Sequence, residues 1–190
     1  MFAGRMSELK QLEKIFEQKQ SAIVTVYGRR RIGKSSLIEH FSEGKNSLFF
    51  EALEHEHTQA QIHHFTRTLS KQVKDPILAK ARLSTWEEIF DYLTLFLQKQ
   101  PTKTILFFDE FQWMAAGHIK LVSLLKYYWD TQWKKTQVQL ILCGSISSYM
   151  VKNVIRSKAL YGRIDLEICL LDLSPAEALP MFKGKLSKEE

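Results

Sequence analysis

Apolar positions along the chain switch between a helical period and short unbroken runs. Leu9, Leu12, Ile15 and Phe16 recur at helical spacing and predict an amphipathic helix over residues 7–18. Residues 22–27 form a short β-branched apolar run of the kind a buried strand needs. Gly28 to Gly33 interrupts the pattern, and helical character resumes over 34–41. A second strand is predicted at 48–50, followed by helices over 58–73 and 84–97, with a loop containing Asp75 and Pro76 between them. A third strand, 104–108, ends in Asp109 and Glu110. A long helix is expected over 119–133, where Leu121, Leu124, Leu125 and Tyr128 share one stripe. The fourth strand covers 138–143, a helix carrying Tyr149, Met150 and Val154 follows, and a fifth strand falls between Ile164 and Leu171. Ser174, Pro175 and Glu177 combine a capping box with a proline at the first helical position, so a further helix starts there.

Strands that alternate with helices, each a near-continuous apolar run, predict an α/β fold whose parallel sheet is covered on both faces. No repeat or linker divides residues 1–173, which read as one domain, with 174–190 as the start of another segment. The length of 190 residues agrees with one domain at about 100–200 residues each. With 45% hydrophobic and 25% charged residues, collagen-like, disordered and disulfide-scaffold classes are excluded. No apolar run approaches the roughly 20 residues of a spanning helix, and the N-terminus has no signal-peptide core. Cys143 and Cys169 both lie in apolar runs and read as buried hydrophobes in a reducing compartment, so a cytoplasmic location without membrane contact is expected. The net charge of +6 favours acidic partners only weakly, because apart from Arg29, Arg30 and Arg31 and the pair Lys134 and Lys135 it is scattered.

The candidate chemistry begins at Gly28-Arg29-Arg30-Arg31-Ile32-Gly33-Lys34-Ser35, which fits the phosphate-loop pattern G-x-x-x-x-G-K-[ST] without mismatch. Such a loop wraps its backbone N–H groups around phosphates, and glycines supply close approach or positive φ. Gly28, Arg31, Ile32 and Gly33 are therefore expected to contribute backbone to a nucleotide. Lys34 is expected to reach the β- and γ-phosphates, Ser35 to ligate Mg²⁺ and Ser36 to donate to the α-phosphate. A strand before the motif and a helix after it supply the required context. The three arginines are read as solvated or paired with acids, nucleic-acid contact being the alternative.

Asp109 and Glu110 end an apolar strand, and ligands of parallel sheets gather beyond the carboxyl ends of the strands. Asp109 is then expected to hold Mg²⁺, and Glu110 to polarise the attacking water. Ser145 ends the next apolar run and is read either as a γ-phosphate sensor or as a helix N-cap. His55, His57, His63 and His64 with Glu51, Glu54 and Glu56 match no zinc spacing, and no metal is assigned to them. Trp113, Trp129 and Trp133 are assigned to packing, the last two as an i,i+4 pair on one helix.

The loop, together with Phe2-Ala3-Gly4-Arg5 and Glu8-Leu9, Asp109-Glu110-Phe111-Gln112-Trp113, Gly144-Ser145 with Ser147, Ser148 and Met150, and Leu160-Tyr161-Gly162-Arg163, resembles the archaeal/bacterial ATPase family within the AAA+/STAND group of P-loop NTPases. The resemblance runs from Phe2 to Arg163. It implies a three-layer αβα core with a parallel five-stranded sheet of order 5-1-4-3-2, an adenine pocket formed partly by the box from Phe2 to Arg5, and ATP with Mg²⁺ as cofactors. It also implies an arginine finger, in cis or across a subunit interface, with Arg163 preferred, Arg156 second, and pairing with Asp165 or Glu167 as the structural alternative for Arg163. Met6 departs from the family by replacing its usual acid. Family members continue into a helical lid and often further domains. Residues 174–190 are therefore expected to be the start of a truncated lid, with nucleic-acid contact only through missing C-terminal domains and homo-oligomer or partner-protein contact as a further implication. The function expected is an ATPase core coupling hydrolysis to conformational change. Its alternatives are an ATP/ADP switch of little turnover and a small-molecule P-loop kinase.

Overall fold

The computed structural model describes residues 2–115 and 120–179. Five strands, β1 (Ala22–Tyr27), β2 (Ser47–Glu51), β3 (Thr104–Asp109), β4 (Val138–Gly144) and β5 (Ile164–Cys169), form one sheet of order β2-β3-β4-β1-β5. Every pairing is parallel. This is the order the resemblance implies.

Alternation along the strands sends side chains to two separate cores. Ile23, Leu106, Phe108, Leu140 and Leu142 face one core. It is covered by α3 (Thr58–Val73), α5 (Trp86–Gln98) and α7 (Lys120–Thr131). Its aromatic centre stacks Phe50 on Phe65 at 3.8 Å and sets Trp133 edge-on to Phe90. Val24, Val26, Ile105, Phe107, Ile141 and Cys143 face the other, under α1 (Met6–Phe16) and α2 (Lys34–Phe41). β3 and β4 are buried along their whole length, which is why their sequences read as continuous apolar runs.

Several expectations shift. The loop at Asp75 contains a short helix, α4 (Pro76–Lys80), because the Asp75 carboxylate accepts from the Ile77 and Leu78 amides and Pro76 fits the first turn. Another short helix, α6 (Phe111–Ala115), follows β3 directly. Residue 119, where the long helix was expected to begin, lies outside the described residues. That helix ends at Thr131, and Trp133 opens a separate 3₁₀ turn, Trp133–Lys135, rather than pairing along one helix with Trp129. Trp133 is nevertheless fully buried and donates to Thr94 Oγ1 at 2.8 Å. After β4 comes a single turn, α8 (Ser147–Tyr149), which widens into a π-helical turn, Met150–Ile155. Cys143 is buried, but Cys169 is exposed, because β5 is an edge strand with an alternating outer face. A final helix, α9 (Pro175–Ala178), carries the expected capping box. The rest of the segment expected to begin a lid, 180–190, lies outside the described residues.

Candidate active site

The phosphate loop leaves β1 through Gly28, where any Cβ would lie 2.4 Å from the Leu170 carbonyl oxygen. Only glycine permits that approach. Gly33 takes φ 89° as N-cap of α2, and Arg31 also lies in the left-handed region, at φ 66°. A non-glycine residue there stores about 1–2 kcal/mol of strain, a feature the sequence pattern does not reveal. No backbone carbonyl among the described residues accepts from the amides of residues 29–33. The first N–H groups of α2 likewise have no intrahelical partner. Lys34 is buried, and its Nζ donates to the carbonyls of Gly28 (3.1 Å) and Arg29 (2.8 Å), so the ammonium lies over the loop.

Two of the three arginines of the loop are pinned to acids of the same chain. Arg30 pairs with Glu54 at 2.7 Å and Arg29 with Asp172 at 3.3 Å. Both pairs are exposed and contribute little to stability. They close the loop on either side, against the segment after β2 and the segment after β5.

The strand ends bring the acids to the loop. Ser35 Oγ donates to Asp109 Oδ2 at 2.5 Å, and Asp109 Oδ1 accepts from the Glu110 amide at 2.9 Å. Glu110 sits at φ 50°, a left-handed residue between strand and helix. Its Oε2 accepts from Ser145 Oγ at 2.7 Å and from Gln112 Nε2. The N-cap position of α8 belongs to Ile146, without a side-chain cap, so Ser145 turns its hydroxyl into the site instead of capping the helix. Cys143 packs nearby; burial first, then the Asp109 carboxylate, push its thiol pKa well up, so it stays neutral. Among the described residues no group of three or more His, Cys, Asp or Glu gathers as a metal cage.

Beside the loop opens a cleft of about 550 Å³, lined among others by Phe2, Arg5, Ile32, Gly33, Ser36 and His40. Phe2 stacks on His40 with ring centroids 4.4 Å apart. Arg5 serves this cleft indirectly. Its guanidinium donates to Ile32 and Leu171 carbonyls and pairs with Glu8 at 3.3 Å, bracing the wall. Another hollow, of about 300 Å³, is lined by Glu110 together with Arg30, Glu54, His64 and Trp113.

Arg163 is not brought to this site. It precedes β5 at the amino end of the sheet, since Ile164 pairs with Ile23. The loop begins past Tyr27, about 15 Å further along at strand rise. Asp130, not Asp165 or Glu167, takes its guanidinium in two hydrogen bonds of 2.8 and 2.9 Å. Asp165 instead accepts from the Ile23 amide at 2.8 Å. Arg156 caps the π-helical turn near the other end of the sheet. There, burial first and then Cys169 and Glu167 push the Tyr27 hydroxyl pKa up, and Arg156 opposes them. The contacts of Gln112 are not anticipated by the sequence reading, whereas Cys143 is the buried residue expected. The glutamine stands two residues past the key carboxylate, a spacing that could have drawn notice.

The full chain from residue 2 to 190 matches the family described as an ATPase domain predominantly from Archaea. MJECL04, an uncharacterized protein of Methanocaldococcus jannaschii, is 31% identical over 164 residues, covering 86% of this chain and 34% of that protein. Among solved structures, the Walker-type ATPase PABY2304 of Pyrococcus abyssi superposes with a TM-score of 0.72 at 22% identity, over 95% of this chain and 57% of the other. The ORC2 protein of Aeropyrum pernix, solved in ADPNP-ADP complexes, gives 0.68 at 17% identity, over 94% and 50%. The chain thus spans about a third of MJECL04 and just over half of the Pyrococcus protein. No helix among the described residues is long and apolar enough to cross a membrane. On the matched family and the matching fold together, the chain belongs to the P-loop ATPase domain family found predominantly in Archaea.

Proposed function

We propose that the chain is the nucleotide-hydrolysing core of a larger protein, binding ATP with Mg²⁺ and cleaving its γ-phosphate by attack of water. The observation that carries this reading is the direct bond between Ser35 and Asp109, with Glu110 joined to the same carboxylate through its amide. Loop and strand end are thereby one unit, with a second carboxylate beside it. Glu110 has the position and chemistry to take the proton of an attacking water. Loop amides and Lys34 would bind the phosphates. The Ser145 hydroxyl would report the γ-phosphate, and the cleft beside Phe2 would receive the adenine.

Hydroxyl and carboxylate oxygens suit Mg²⁺, which commonly takes one or two protein oxygens and completes its shell with phosphate and water. Ser35 and Asp109 would hold it, and when bound it neutralises charge developing on the phosphates. Arg163 lies too far from the loop to act on its own nucleotide, so in this reading an arginine on the transferred group is Arg156 or one from a neighbouring subunit. Coupling of hydrolysis to motion in C-terminal regions is a proposal for the whole protein.

The test is phosphate release from MgATP by wild type and Glu110→Gln across a range of protein concentrations, with ATP affinity measured in parallel. Turnover that Glu110→Gln abolishes while binding persists is expected. Specific activity rising with concentration would indicate a shared site. Equal negligible rates with intact binding would overturn hydrolysis in favour of a nucleotide-operated switch.

A further inference from the structure

Glu110 Oε2 accepts from two donors, Ser145 Oγ and Gln112 Nε2, and the same nitrogen lies 3.1 Å from Ser145 Oγ. The three side chains close a triangle. Its hydrogen inventory is determined by chemistry. An ionised carboxylate only accepts, so the amide must present nitrogen to Glu110. The serine has one proton and gives it to Glu110. The amide has two, one for Glu110 and one for the Ser145 oxygen.

Two features show that this amide is kept at a cost to packing. Gln112 is 2% exposed, yet its other end, Oε1, is buried without a hydrogen-bond partner. Most buried amides have both ends satisfied, and an orphaned end calls for an explanation. Residue 144 is also glycine where a Cβ would lie 2.6 Å from Gln112 Oε1 and from Met150. The last residue of β4 thus gives up its side chain to admit the glutamine.

We infer that Gln112 is a positioning residue of the hydrolytic reaction, holding Glu110 in place while Ser145 changes partner. If the Ser145 proton turns to the γ-phosphate, Glu110 loses that donor. The second donor, Gln112 Nε2, keeps the carboxylate anchored, and its other hydrogen still holds the Ser145 oxygen. Without the amide, engagement of the γ-phosphate would release Glu110 at the moment it is needed. This rests on reading Glu110 as the general base and Ser145 as the γ-phosphate sensor.

The experiment compares Gln112→Leu and Gln112→Glu in the full chain. The first removes the donor, and the second keeps the shape but replaces a donor with an acceptor. For each, kcat, KM, melting temperature and the affinities for MgADP and for MgADP with aluminium fluoride are measured, alone and on a Glu110→Gln background. The expected result is a kcat lower by about 10–100-fold, the range usual for residues that orient a catalytic group. KM and ADP affinity stay near wild type, aluminium fluoride affinity falls with kcat, and there is no further fall on the Glu110→Gln background. Wild-type kcat and aluminium fluoride affinity in both variants would overturn the inference. So would a loss confined to melting temperature and ADP affinity, or one fully additive with Glu110→Gln. Glu110→Gln alone separates the two levels. If it keeps wild-type turnover and aluminium fluoride affinity, the hydrolytic reading fails and the inference with it; if it abolishes both while the Gln112 variants keep them, only the inference fails.

Discussion

The guanidinium of Arg5 donates to the carbonyl of Ile32 in the phosphate loop, 3.2 Å away, and with the same nitrogen to the carbonyl of Leu171 beyond β5, at 2.6 Å. Arg5 is 5% exposed and stands at the N-cap of α1. One side chain therefore ties the nucleotide loop, the first helix and the strand exit together. Arg5→Ala is expected to lower unfolding free energy by about 2–3 kcal/mol, the range for buried carbonyls that lose a charged donor. It should also weaken ATP binding by unbracing the loop. Arg5→Lys should restore only part of both, since an ammonium lacks the planar fork. Urea denaturation and titration with a fluorescent ATP analogue check this; unchanged midpoints and affinity in Arg5→Ala would refute the brace.

Two glycines of the loop should fail for different reasons. A Cβ on Gly28 meets the backbone carbonyl of Leu170, and that segment cannot yield, because the Leu170 amide is bonded to the Tyr27 carbonyl at 2.7 Å. Gly33 has open space around its would-be Cβ but a φ of 89°. Gly33→Ala is expected to cost about 1–2 kcal/mol, from backbone strain alone. Gly28→Ala should cost more, up to about 3 kcal/mol or beyond, through overpacking against main chain. Thermal unfolding of the two variants decides it, and the reverse order would show that the loop relaxes away from β5.

The Arg163–Asp130 pair gives a pH signature. Hydrogen bonding from Arg163, then from Lys126, holds the Asp130 carboxyl below its ordinary value, against the opposing effect of burial. A carboxyl depressed in the folded state stabilises the protein above its unfolded pKa, about 3.9. That stability is lost as pH falls through the folded value. Arg163→Ala should therefore destabilise by about 0.5–1 kcal/mol at neutral pH, as expected for a partly exposed pair. The difference from wild type should shrink below about pH 4. A difference independent of pH would mean that the arginine acts through packing instead.

Strands were the most legible part of the fold, because β1, β3 and β4 are buried on both faces and are mostly apolar, with Thr25, Thr104 and Gln139 as buried polar exceptions. Short helices were not. The helix Phe111–Ala115 is five residues long, too short for periodicity to show, and is held by packing of Phe111 and Met114. In the site, the bond between Ser35 and Asp109 agrees with what spacing and strand ends implied. Arg163 pairs away from the loop of its own chain. Its partner Asp130 lies 33 positions earlier, on α7, and no local pattern reveals such a pairing. Gln112 escaped for a related reason: its meaning depends on Ser145, which lies on another strand end 33 residues away.

Magnesium dependence should separate Ser35 from Asp109. Ser35 Oγ has one bond to Asp109 Oδ2, whereas the Asp109 carboxylate also receives the Glu110 amide on Oδ1. Removing the hydroxyl leaves Asp109 with its backbone donor and the fold close to wild type. Truncating Asp109 to alanine leaves the Ser35 hydroxyl and the Glu110 N–H without their acceptor, and Asp109 is 7% exposed, so water cannot easily repair the loss. Ser35→Ala is therefore expected to keep its melting temperature and its metal-free ATP affinity but to lose the gain in affinity that MgCl₂ brings. Asp109→Ala should lose that gain and be destabilised by about 1–3 kcal/mol as well. Titrations of ATP with MgCl₂ and with EDTA, beside thermal unfolding, read both effects. An undiminished magnesium gain in Ser35→Ala would remove the hydroxyl from the proposed metal site and leave Asp109 to hold the ion without it.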